Sequence, residues 1–265
     1  MIICREIGEY IEQLAPVALA ADWDNVGLLV GDAEQEVKKV LLALDMDEYV
    51  AQEAADIGAN LVVTHHPVMF EPIQRLTEDD PQQRALRLLI EHRISHYAAH
   101  TNLDVAAGGL NDYMAYLLGL KNTEILDVTQ ETDGIKHGFG RYCELESPVQ
   151  LKDMLERCKA VFHLSGVKYV GYPERLVRRV AINTGGGAGV LGRCYEQDMD
   201  LLITGDIKYT VAREAYERGM AVIDAGHYDT EIIVMDFMEQ YLSKQFPDLV
   251  LVQSKENIRV LETDV

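Results

Sequence analysis

Nowhere in the 265-residue chain is there a long apolar run, and no window approaches the ~20 consecutive apolar residues that a membrane-spanning helix needs. The opening stretch from Met1 to Pro16 carries Arg5, Glu6, Glu9 and Glu12, so it lacks the layout of a secretion signal as well. Together these absences predict a cytoplasmic protein with no membrane partner. Cysteine is sparse: Cys4, Cys143, Cys158 and Cys194 are scattered without a Cys-x-x-Cys pair, which argues against a disulfide frame and a zinc–thiolate site. Any metal must then be held by histidine and carboxylate. Basic residues are also few, 24 Lys and Arg against 44 Asp and Glu, for a net charge of −20. Such a balance works against gripping nucleic-acid phosphates, and an anionic substrate would be met by bound cations. Tryptophan occurs once, at Trp23, in the turn-rich stretch Ala21 to Gly31, where a packed loop is the plain reading.

Against these absences stands the run Leu61-Val-Val-Thr-His-His-Pro67. Apolar and β-branched residues lead straight into two adjacent histidines, and proline stops the extended run. The imidazoles therefore sit at the carboxyl end of a strand, where open α/β sheets place their chemistry. Around this run the apolar spacing predicts helices over 4–14, 47–57, 81–93 and 110–118, and strands over 28–30, 40–45, 61–65 and 95–99. The polar segment 121–136 has no clear periodicity and reads as a connection between domains. Beyond it come a strand over 139–145, a helix over 148–158 and a strand over 167–172.

From Val180 the earlier pattern returns. Val40 to Asp45 corresponds to Val180 to Gly185, and Leu61 to His66 to Leu201 to Asp206, at one offset and without a gap. A third pair follows: Tyr97-Ala-Ala-His100 ending in Asp104 matches Asp224-Ala-Gly-His227 ending in Glu231. The fold class predicted is thus α/β, as two α/β domains related by a pseudo-twofold internal repeat with a site between them. Residues 1–125, completed by 229–265, form the first, and 126–228 the second.

If equivalent strand ends meet, His65, His66 and Asp104 face His227 and Glu231. Nitrogen and carboxylate ligands suit Zn²⁺, Fe²⁺, Mn²⁺ or Co²⁺. Five ligands are too many for one catalytic ion with open positions but suit two ions ~3.5 to 4 Å apart with one carboxylate bridging. His100 is a candidate for proton transfer or for orienting a ligand, and Asp45, Asp206 and Asp224 read as orienting groups or turn formers. His92, His96, His137 and His163 read as surface or satisfied core residues. One competing motif, Gly187-Ala-Gly189-Val-Leu-Gly192, matches the dinucleotide fingerprint, with Asp206 placed as a ribose-binding acid.

Five stretches in order, Trp23-Asp-Asn-Val-Gly-Leu28, Thr64-His-His-Pro67, His100-Thr-Asn-Leu-Asp104, Gly205-Asp-Ile-Lys-Tyr209 and Asp224-Ala-Gly-His-Tyr-Asp-Thr-Glu231, resemble the Nif-three-like family, also called GTP cyclohydrolase 1 type 2 homologues. The resemblance spans nearly the whole chain. It implies two α/β domains, a toroidal homohexamer and a metal pair, iron, zinc or manganese. His66 and Asp104 would hold one ion, His65 and His227 the other, and Glu231 would bridge. It further implies a hydrolase opening the imidazole ring of GTP with release of formate, with His100 as the proton shuttle. Thr210 stands where many relatives carry histidine, which puts in doubt a proton-transfer role at that position. The alternatives are a metal-binding assembly or regulatory protein without turnover, and the dinucleotide reading of Gly187 to Gly192.

Overall fold

The helices and strands of the first half follow from local chemistry that can be named residue by residue. In the computed structural model, which describes residues 1–261, the chain begins with α1 (Cys4–Leu14), whose buried positions Cys4, Ile7, Gly8 and Ile11 make one helical stripe. After β1 (Gly27–Val30) and β2 (Lys39–Ala43), Asp47 caps α2 (Glu48–Ile57) by accepting from the amides of Tyr49 and Val50, and Gly58 ends it in the left-handed conformation. The strand β3 (Leu61–Thr64) follows. Pro81 opens α3 (Pro81–Glu91) under an Asp80 cap, and β4 (Ser95–Ala98) leads into the one-turn helix α4 (Thr101–Val105).

The second half runs through α5 (Leu110–Leu117), β5 (Glu124–Thr132), β6 (Ile135–Gln150), α6 (Leu151–Val161), β7 (Lys168–Val170), β8 (Leu176–Gly186), α7 (Leu191–Glu196), β9 (Leu201–Gly205), α8 (Tyr209–Glu217), β10 (Ala221–Asp224) and α9 (His227–Glu231). The chain then closes its first half with α10 (Val234–Gln245) and β11 (Val250–Gln253). Two compact units result: residues 1–106 with 234–259, and residues 107–233 with 260–261. These divisions differ from the expected 125/126 and 228/229. The reason is packing, since α5 lies on β6 and β8, and α9 lies against β8 and β9, so both helices belong with the second sheet.

Among the described residues the first unit holds a sheet of order β1-β4-β3-β2-β11 and the second a sheet of order β5-β6-β8-β9-β10-β7. In the first, β2, β3 and β4 are parallel and β1 is antiparallel to β4. In the second, β8, β9 and β10 are parallel and β7 is antiparallel to β10. The succession helix, strand, strand, helix, strand, helix, strand, helix is therefore the same from α1 to α4 and from α6 to α9. Register agrees too, with Val40 opposite Leu61 and Val180 opposite Leu201. The central strands β3 and β9 are buried at every position, as a parallel sheet covered on both faces requires. Leu41, Val62, Val50, Ala54, Leu86 and Leu89 fill one core. Ala181, Leu202, Val222, Leu191 and Ala215 fill the other.

Two sequence expectations are corrected here. The segment 121–136 is not a bare connection: β5 pairs with β6 as an antiparallel hairpin turned at Asp133-Gly134, both at positive φ. An Asp-Gly pair is a strong hairpin signal, and the mostly exposed faces of β5 hid its alternation. The helix expected over 148–158 begins instead at Leu151, because β6 continues through Pro148 to Gln150. No helix of the described residues is long and apolar enough to cross a membrane.

Candidate metal-ligand sites

In the first unit the carboxyl ends of β2, β3 and β4 deliver Asp45, the pair His65-His66, and His100. His65 is fully buried, and its Nδ1 donates to the Ala99 carbonyl at 2.8 Å. His66 donates from Nδ1 to Asp45 at 2.7 Å. His100 donates from Nδ1 to Asp24 at 2.9 Å. All three acceptors lack a proton to give, so each ring donates through Nδ1 and leaves Nε2 as the nitrogen that can face a metal. The ring centroids lie 5.1 to 5.3 Å apart, and one ligating nitrogen of each ring falls within 4.8 Å of the other two. This trio could hold a metal ion.

Asp104, on α4, is buried with its Oδ1 3.7 Å from His65 Nε2. That separation is close to the ~3.4 Å edge of a tetrahedron drawn with ordinary zinc–ligand bonds. Asp24 is the anchor of the cluster. Burial would push its carboxyl up, but hydrogen bonds from His100 and Thr101 outweigh this and hold it at about 2. His96 lies beneath, fully buried and held near 3 by desolvation, hence neutral. Its Nε2 donates to Thr64 Oγ1 at 2.8 Å, and Thr64 donates to the His66 carbonyl at 2.6 Å. A ring expected to be inert core thus props up the turn that carries His66, something only the strand pairing reveals.

The second unit presents a different arrangement at equivalent strand ends. His227 opens α9, with Nδ1 on Asp206 at 2.7 Å and Nε2 on Glu231 at 2.9 Å. Hydrogen bonding to Glu231 raises the imidazole to about 9, burial opposes, and Asp206 adds to the rise. Glu231 is buried, and Gly185 makes room for it: the glycine has φ of +61°, and a Cβ there would run into the Glu231 carboxylate. Thr230 Oγ1 accepts from the Gly185 amide at 2.9 Å and fixes that approach.

Of the other sequence candidates, Asp224 takes the amides of Ile207 and Gly226, a turn-forming role. His92 and His163 are exposed, and His137 Nδ1 accepts from the Ala107 amide at 3.2 Å. All four cysteines are reduced and buried, and among the described residues the groups that could hold an ion contain none of them. The Gly187 to Gly192 motif lacks dinucleotide-site packing. A Cβ would meet nothing at Gly192, where the fingerprint needs close helix–strand packing, and Asp206 is bonded to His227.

Sequence comparison bears directly on this geometry. The pattern of the family described as Duf34/NIF3 (NGG1p interacting factor 3) matches residues 2–259. The chain belongs to the Duf34/NIF3 family. A member from Clostridium acetobutylicum named "GTP cyclohydrolase 1 type 2 homolog" is 33% identical over 96% of both chains. One from Methanocaldococcus jannaschii with the same name is 32% identical over 94% of this chain and 97% of its own. Among solved structures of Duf34/NIF3 relatives, reduced HcgD from Methanocaldococcus jannaschii superposes with a TM-score of 0.82 at 32% identity, covering 96% and 98% of the two chains. A Bacillus cereus protein related to NIF3 superposes at 0.93 with 23% identity, covering 100% and 99%, which establishes the shared fold. The family resemblance read from the five sequence stretches is confirmed.

Proposed function

We propose that this Duf34/NIF3 protein is a dinuclear metal-dependent hydrolase acting on a nucleotide, with GTP as the substrate its relatives' names suggest. The observation that carries this reading is the trio His65, His66 and His100, each oriented through Nδ1 by an acceptor, with one nitrogen of each ring within 4.8 Å of the others. Metal-ligating histidines almost always donate their other ring N–H to a carboxylate or carbonyl of this kind. The residues fit divalent iron, zinc or manganese, since the donors are nitrogen and carboxylate and the cysteines are buried away. In this reading His65, His66, Asp104, His227 and Glu231 would hold the ions.

Such ions would polarise the electrophile and acidify water. The side chains do the rest. His100, anchored by buried Asp24, offers Nε2 to take a proton from the attacking water and pass it to the departing nitrogen. With GTP, water would add at C8 of the guanine imidazole ring, opening of that ring would leave a formamide, and a second water would hydrolyse the formamide to formate and an amine. The assembly we infer is a homohexamer, checked by sedimentation equilibrium. A second reading, a metal-binding regulatory protein without turnover, draws support from the family's description as an interacting factor.

Metal analysis with a formate-release assay separates these readings in wild type and Glu231→Gln. About two ions per chain, with metal and formate release both falling in the variant, is the expected result. Full loading without turnover of GTP or other nucleotides selects the regulatory reading. Fewer than about half an ion per chain after growth with iron, manganese and zinc rules out the dinuclear centre.

A further inference from the structure

Beside the histidine trio the first unit exposes two large aromatic side chains that its core does not use. Trp23 is 64% exposed and Phe70 45% exposed. Their ring centroids lie 6.4 Å apart, and both meet the His100 ring edge to face, at 5.9 Å and 5.7 Å. Leaving such rings in water forgoes burial, yet the chain fixes them firmly. Asp24, next to Trp23, binds the His100 ring and the Thr101 amide and hydroxyl. Asn25 donates its side-chain amide to the carbonyl of Met69, next to Phe70, at 2.7 Å, which ties the two loops together.

We propose that Trp23 and Phe70 form the binding wall for a flat heteroaromatic ring, a purine-type base, held against His100. This rests on the hydrolase reading for its chemistry and adds to it the residues that select the substrate. Three features favour a small ring over a second copy of this chain. The two side chains expose on the order of 200 Å² together, well short of the ~800 Å² per partner of a standard interface. Their exposed sequence neighbours, Asp22 and Glu71, are acidic. Carboxylates accept the N–H donors that an aminated base carries on its edge. Finally, stacking on a pre-oriented aromatic face needs no further ordering of the protein.

Trp23 is the chain's only tryptophan, so its intrinsic fluorescence reports on this wall alone. The full-length protein is titrated with guanosine and with ribose 5-phosphate at several protein concentrations. We expect saturable quenching by guanosine and none by ribose 5-phosphate. Equilibrium dialysis of guanosine should then show about tenfold weaker binding in Trp23→Leu, and within about threefold of wild type in Trp23→Phe, with metal content unchanged in both. The inference is overturned by an absence of saturable quenching, by an equal response to ribose 5-phosphate, or by a signal that follows protein concentration alone, which would mean a second copy covers Trp23. Equal losses in the two variants would also overturn it. Quenching without formate release leaves the wall standing and removes the hydrolase reading; formate release without quenching does the reverse.

Discussion

His227 and Asp206 are joined by a 2.7 Å bond through Nδ1, which determines which ring nitrogen a metal ion can use. Asp206 sits at positive φ just past β9, so its side chain is aimed by a backbone turn. Replacing it by alanine removes the acceptor that sets the tautomer and orientation of His227. The expected loss is about 10- to 100-fold in metal affinity, read by competition with a chromogenic chelator, with the far-ultraviolet circular dichroism unchanged.

The same ring gives a pH dependence. In metal-free protein His227 is bracketed by Glu231 and Asp206 and is raised from 6.5 to about 9. Its pairing stabilises the fold fully below the unfolded value, and that contribution is lost as pH rises through about 9. A metal ion must displace the Nε2 proton, so binding strengthens with pH up to the same point. Nuclear magnetic resonance of the His227 ring in metal-free protein should show a midpoint near 9. A midpoint near 6.5 would contradict the assigned pairing.

Gly185→Ala tests whether room for Glu231 is a requirement of the site. The added methyl group meets the carboxylate, and φ of +61° is strained for alanine. We expect a loss of about 1 to 3 kcal/mol in urea unfolding, together with reduced metal content. The equivalent position in the first unit is Asp45, which instead orients His66.

That asymmetry explains what could be read from the sequence. The order of strands, the placement of His65, His66, His100 and His227 at strand ends, and the matched succession of elements all follow from apolar runs ending in polar residues. The sequence repeat aligned Asp45 with Gly185 and His66 with Asp206, and it could not say that one member of each pair would orient a ring while the other made space or presented a ring of its own. Such roles depend on side-chain direction at a turning backbone, which periodicity does not encode. The hairpin of β5 and β6 was hidden for another reason: its exposed faces lack the apolar alternation that marks a half-buried strand. His96 was legible only as a core histidine, because its bond to Thr64 crosses adjacent strands.

Arg141 provides a test remote from the ligands. It is 1% exposed, donates to both Asp112 oxygens and to the carbonyls of Gly138 and Gly140, and holds the start of β6 against α5. Arg141→Leu leaves those acceptors without their donor and should cost about 3 to 5 kcal/mol in denaturant unfolding.

The last strand has a consequence for synthesis on the ribosome. β11 covers one side of β2, yet it follows residues 107–233 of the second unit in the chain. During translation that stretch emerges first, while the first unit must wait with the edge of β2 open until residues 250–253 appear. An uncovered strand edge is a template for mispairing. Until β11 docks, the nascent chain therefore keeps an open strand edge that can mispair.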